Sequence, residues 1–211
     1  VTYAIIGFLP MNTVSRCSVD MRVKYYKDNL NQGRMDREEI LELFKNEDSK
    51  QNVLTTLTQT DDPKIIQEII KLFDDERIEI RGEVFSTLFL NQNNILKELI
   101  IGLNHESKNV RGYVLLVLAN RNEKESIQEI IKLTKDSSGL VRTYAYGSLG
   151  HLESKEAALE LHKGIFDSNI EAVKSAAYAL SRIKEKIVEK EIDRLHEFND
   201  PDFDKILKFF N

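Results

Sequence analysis

The sequence contains no tryptophan, one cysteine and three prolines in 211 residues. A lone cysteine, Cys17, has no internal disulfide partner, which excludes a stapled secreted scaffold and suits the reducing cytoplasm. So few prolines leave most of the chain free to form helix. No apolar run approaches the ~20 residues a membrane span requires. The apolar start Val1–Pro10 lacks a basic region before it and a small-residue cleavage site after it, so it does not fit a signal peptide. A basic excess is missing too. Residues 37–211 hold 25 basic against 32 acidic side chains, the wrong balance for a protein that follows a phosphate backbone. These absences lead to the expectation of a cytoplasmic protein with no membrane span, for which nucleic acid is the less favoured partner.

What the chain does have is a period. Leu57, Leu88, Leu118, Leu149 and Leu180 follow one another at gaps of 31, 30, 31 and 31 residues. The hexapeptide Gln67–Leu72 returns unchanged as Gln128–Leu133, and Glu68, Glu98, Glu129 and Glu160 fall at equivalent places. Self-similarity at this spacing marks an array of small helical units, each needing its neighbours to bury its apolar face. Residues 1–34 share none of it. They are expected to form a poorly ordered segment, a flexible tail or an over-extended gene start with Met21 and Met35 as alternative starts. Residues 35–211 form the repeat domain, closing in a degenerate helix pair over 186–210.

Each unit reads as two helices. Asp36, Asp62 and Asp200 are placed to cap first turns, the last two followed by proline at the first helical position. With Arg81, Arg111 and Arg142 as position zero of the second helix, Ile80, Val110 and Val141 precede it. Val84, Val114 and Ala145 follow three residues on, and the ladder leucines seven on, all on one helical face. Asp75, His105, Asp136 and Asp167 form a row six residues before zero. The last unit fits with Ala172, Ala176 and Leu180 in the core and Lys174 one step out of register. Breaks between paired helices are expected near 74–77, 104–108, 135–139 and 167–169.

An aspartate, Val-Arg six residues later and small or apolar residues ending in leucine, as in Asp136–Gly150, resemble the HEAT repeat. The likeness is narrower still to the short HEAT-like repeats of phycobilisome lyases. It covers about residues 37–185. The resemblance implies an all-α, right-handed α-solenoid of about five two-helix repeats. It also implies that the aspartate caps the second helix and that the arginine pairs across neighbouring repeats.

No motif carries chemistry. There is no phosphate-cradling Gly-x-x-x-x-Gly-Lys-Ser/Thr loop and no Gly-x-Ser-x-Gly elbow. His105, His151, His162 and His196 lack zinc spacing. The pairs His105-Glu106 and His196-Glu197 are similar to the iron-binding pairs of deoxyhypusine hydroxylase, itself HEAT-like, but stand in a loop and in the closing segment. They are read as chance dipeptides. HEAT-like DNA glycosylases use a basic concave face that this chain lacks. No catalytic residue, metal or cofactor is expected.

One outward face remains. Positions two, five and nine of the second helix lie within about 60° of one another. They carry Tyr113 and Tyr144, then Leu116 and Tyr178, then His151 and Arg182, a mixed amphipathic set of the kind enriched at protein interfaces. In HEAT-like solenoids second helices line the concave surface, so the resemblance makes these six a groove for a segment of a partner protein. A non-enzymatic interaction module is the leading reading. The alternative is a lyase or chaperone-like subunit acting on a chromophore-bearing protein.

Overall fold

The computed structural model describes residues 35–210, with Asp28 before them, and all regular structure among the described residues is helical. The expectation for residues 1–34 lies outside this range. Chain packing divides the molecule into two units, one ending at Ile95 and the other beginning at Leu96. The described part of the first contains α1 (Arg37–Leu43), α2 (Glu47–Leu54), α3 (Pro63–Lys71) and α4 (Ile78–Leu90). The second contains α5 (Leu96–Gly102), α6 (Lys108–Asn120), α7 (Ile127–Leu133) and α8 (Gly139–His151). It continues with α9 (Ala158–Gly164), α10 (Ile170–Arg182), α11 (Glu189–His196) and α12 (Pro201–Leu207). Consecutive helices pair into repeats, and every expected break falls between two of them.

Short polar side chains start the helices where the sequence places them. Asp36 accepts the Glu39 amide while the Glu39 carboxylate takes the Asp36 amide, a reciprocal cap on α1. Asp62 accepts from Lys64 and Ile65, and Asp200 from Asp202, each ahead of a proline whose missing N–H loses nothing there.

The ladder leucines form the core. Leu57 and Leu88 are buried in the first unit, and Leu118, Leu149 and Leu180 have no exposed surface in the second. In the second unit α8 packs most extensively on α10 and next on α6, whereas the first helices α7 and α9 lie mainly against their own partners. Close approach depends on small residues. A Cβ on Gly150 would stand 2.8 Å from the Ala179 Cα, and one on Gly164 would stand 2.6 Å from the Ala176 Cβ. Buried hydroxyls tie successive second helices together within each unit. Thr87 donates to the Leu54 carbonyl and Ser148 to the Leu115 carbonyl, each across 33 residues.

The second helices of the second unit end alike. Asn122, Glu153 and Lys184 adopt left-handed φ of 56°, 54° and 58°. The next amide in each case bonds back to the carbonyl of the ladder leucine, at 3.0 Å. The same leucine therefore fills the core with its side chain and closes its helix with its carbonyl.

Two stability changes follow. Leu118→Ala should cost about 2–5 kcal/mol in denaturant unfolding, the range for opening a fully buried leucine site. Lys184→Gly should raise stability by up to about 1 kcal/mol, because a left-handed backbone disfavours any side chain and Lys184 is exposed.

Candidate functional site

Within each unit, charges 25 or 26 residues apart tie successive repeats together. In the first unit Arg37 pairs with Asp62, and Lys50 with Asp75 at 2.8 Å. In the second, Arg111 meets Asp136 through two bonds of 2.8 and 2.9 Å, Arg142 meets Asp167 through two of 2.7 Å, and Lys174 meets Asp200 at 2.7 Å. Each zero arginine also holds its own loop. Arg111 donates to the carbonyls of His105 and Glu106, Arg142 to those of Asp136 and Ser137, and Arg81 to those of Asp75 and Glu76.

The aspartates do not cap the second helix directly, as the resemblance implied. Asp75, Asp136 and Asp167 accept the amides of Arg77, Ser138 and Asn169, which are the cap residues themselves. The carboxylate thus folds the turn that delivers the cap, and keeps its remaining lone pairs for the cation of the preceding repeat. At position 105 the imidazole Nδ1 of His105 takes over the turn bond, accepting from the Ser107 amide at 3.1 Å.

Burial alone would push the Asp136 and Asp167 carboxyls up. The guanidinium and amide bonds outweigh it, and both are held below the ordinary carboxylate range. A chain of mostly buried, fully bonded charges with no free acid or base does structural work.

The six residues of the outward row stand at different depths. His151 and Arg182 are exposed, Tyr113, Tyr144 and Tyr178 are half-buried, and Leu116 is buried at 8% exposure. Leu116 therefore lies beneath the row. Tyr144 lies over Gly112 of the preceding second helix, so closely that a Cβ there would stand 2.7 Å from its ring. Burial pushes its hydroxyl upward in pKa, with neighbouring Tyr113 adding to the shift. Tyr144 thus packs between repeats as well as lining the row. Tyr146, two residues on, is an inter-repeat core residue. Its ring fills the space above Gly164, and burial pushes its pKa up to about 12.

Two partners of the row were missed in the sequence. Phe209 sets its ring edge-on to Tyr178 at 6.4 Å, and the exposed Glu153 carboxylate pairs with Arg182 at 3.0 Å. Phe209 stands outside the repeat, so periodicity gives no signal for it. Among the described residues no group of three His, Cys, Asp or Glu side chains gathers to hold a metal ion, and no helix is long and apolar enough to cross a membrane. His162 joins α9 to α11 through Glu191, whose carboxylate is 2.7 Å from Nδ1 and also caps α11 at the Val188 amide.

These features define an all-α protein of stacked two-helix repeats. Residues 96–181 match the family model of HEAT repeats, at large and not of the phycobilisome-lyase type in particular. No curated protein matches the sequence. Among solved structures, computationally designed armadillo repeat proteins for modular peptide recognition are 17% identical with a TM-score of 0.52, over 90% of this chain and 100% of theirs. A designed armadillo repeat protein in complex with the peptide (KR)4 is 16% identical with a TM-score of 0.49, over 92% of this chain and 99% of that one. The likeness is one of fold.

The charged seam makes stability depend on acid. A lowered folded pKa contributes stability above the ordinary aspartate range near about 4, and that contribution disappears as pH falls through the lowered value. Unfolding free energy should therefore fall steadily below about pH 4. Asp136→Asn should cost about 3 kcal/mol at neutral pH, since it leaves the mostly buried Arg111 without its counter-charge. It should also make the acid limb shallower, as urea titrations at several pH values would show.

Proposed function

We propose that this chain is a non-enzymatic protein-interaction module, and that a segment of a partner protein lies along the outward row of α6, α8 and α10. The observation that carries the reading is an amphipathic strip repeated on successive second helices. Tyr113, Tyr144 and Tyr178 are half-buried beside the exposed His151 and Arg182. Rigid aromatic rings with a polar tip provide contact area at little entropic cost, and an arginine adds directed donors. The packing supports a concave placement. In the second unit the second helices crowd one another while the first helices do not, and in a curved stack the crowded layer is the inner one. A fold shared with repeat proteins designed for peptide recognition is compatible with this use.

Lining is assigned to Tyr113, Tyr144, His151, Tyr178 and Arg182, with Leu116 as support beneath. The partner is a protein or peptide, the site uses no cofactor, and the molecule works in the cytoplasm.

Selection of a random peptide library on the full chain tests the reading. Peptides enriched on the wild type should bind a Tyr113→Ala/Tyr178→Ala variant at least tenfold more weakly, the scale for losing interface aromatics. Its melting temperature should stay within a few degrees. Undiminished binding of the selected peptides would move the site elsewhere. Tyr144→Ala is the poorer probe, because it also opens the packing over Gly112.

A further inference from the structure

Two aromatic platforms of the outward row are fixed in place on adjacent second helices. The ring of Tyr144 on α8 is seated over Gly112, and the ring of Tyr178 on α10 has Phe209 edge-on to it at 6.4 Å. Phe209 is 62% exposed and widens the second platform. Gly147 shares a face of α8 with Tyr144 three residues before it and His151 four after it, so bare backbone separates the platforms.

Spacing limits what can cross from one platform to the other. Packed helix axes lie about 8–10 Å apart, and the contact of Gly150 with Ala179 shows α8 and α10 in close approach. A β-strand returns to the same face every two residues, about 6.8 Å, too short a step. A polyproline II chain returns every three, about 9.3 Å. An α-helix returns after two turns, about 10.5 Å.

Hydrogen bonding separates the last two. Among the described residues neither the Tyr144 hydroxyl, the Tyr178 hydroxyl nor the His151 ring has a hydrogen bond. Burial keeps the proton on the Tyr144 phenol, which makes it a donor. A polyproline II chain has no internal hydrogen bonds and presents all its carbonyls, whereas a helix has used its own.

Charge narrows the ligand further. Positions two, five and nine of α8 and α10 hold no carboxylate, in a chain with 35 acidic residues. They do hold His151 and Arg182. Arg182 makes one bond, to the exposed Glu153, and keeps its other donors for an incoming carboxylate.

We propose that the platforms of Tyr144 and of Tyr178 with Phe209 bind a proline-rich segment in the polyproline II form. Its prolines stand three residues apart, one on each platform, and an aspartate or glutamate between them turns toward His151 and Arg182. The proposal rests on the reading of the outward row as the binding face and names the class of segment that face takes. A ligand already extended before it binds loses little entropy on aromatic rings that are already fixed.

The test measures fluorescence anisotropy of the full chain with a fluorescein-labelled peptide made of four repeats of Pro-Pro-Glu. Saturable binding is expected. Exchanging its prolines for alanine, or its glutamates for lysine, should weaken binding at least tenfold. Phe209→Ala and Arg182→Glu should each do the same, with melting temperatures within a few degrees of the wild type, since both side chains are exposed. Leu159→Ala, at an exposed position of α9, should leave the affinity unchanged. Absence of binding, or binding that survives Phe209→Ala and Arg182→Glu, would overturn the proposal. Equal affinity for an alanine-rich acidic helix would overturn it in favour of a helical ligand. The sequences of library-selected peptides separate this inference from the reading beneath it. Peptides that need Tyr113 and Tyr178 but lack prolines at a step of three would leave the row as the binding face and remove the polyproline II assignment.

Discussion

A helix pair of some twenty-five residues cannot bury an apolar face on its own, and every other feature of this protein answers to that limit. The face presented by Val114 and Leu118 on α6, or by Ala145 and Leu149 on α8, becomes core only when the next pair closes over it. Closure needs short distances between second helices. It therefore fixes where glycine and alanine must stand, which hydroxyls find a carbonyl across the joint, and how each helix has to stop. The left-handed residue after α6, α8 and α10 turns the chain sharply enough to begin the next pair at once.

The charged seam solves the second problem raised by stacking, that loops between paired helices have backbone groups to satisfy. Arg111 and Arg142 each join three things: two carbonyls of their own loop and the carboxylate of the following one. Arginine suits this task because its planar fork offers five donors in fixed directions, whereas the lysines at positions 50 and 174 meet carboxylates of the following repeat as point charges. The seam and the leucine core thus enforce one register by different means, one through direction and the other through volume.

Much of this was legible before any coordinate. The ladder leucines, the breaks between helices and the caps at Asp36, Asp62 and Asp200 follow from periodicity and capping chemistry, which are local. The outward row was legible only as a direction. A helical wheel puts Leu116 and Tyr144 on the same side as Arg182, but it carries no information on what the adjacent repeat lays over them. Leu116 is covered and Tyr144 settles on Gly112 for that reason. The resemblance gave the aspartates their pairing but not their place in the turn, a matter of one bond to one amide. Phe209 was invisible because it belongs to no repeat.

Among the described residues, the bonds of the seam run from one repeat to its neighbour. Arg111 touches the loop at Asp136 and Arg142 the loop at Asp167, and Ser148 reaches back just one helix pair. Such a molecule has a natural increment of length. Adding or removing about 31 residues at a joint restores every contact with a new neighbour of the same kind. A change of a single residue within a helix turns the side chains that follow in that helix by about 100°, away from the core, whereas a change between helices is absorbed, as in the 30-residue step from Leu88 to Leu118. Evolution along this architecture is therefore free to count in whole repeats and, within a helix, is held nearly rigid at any finer step.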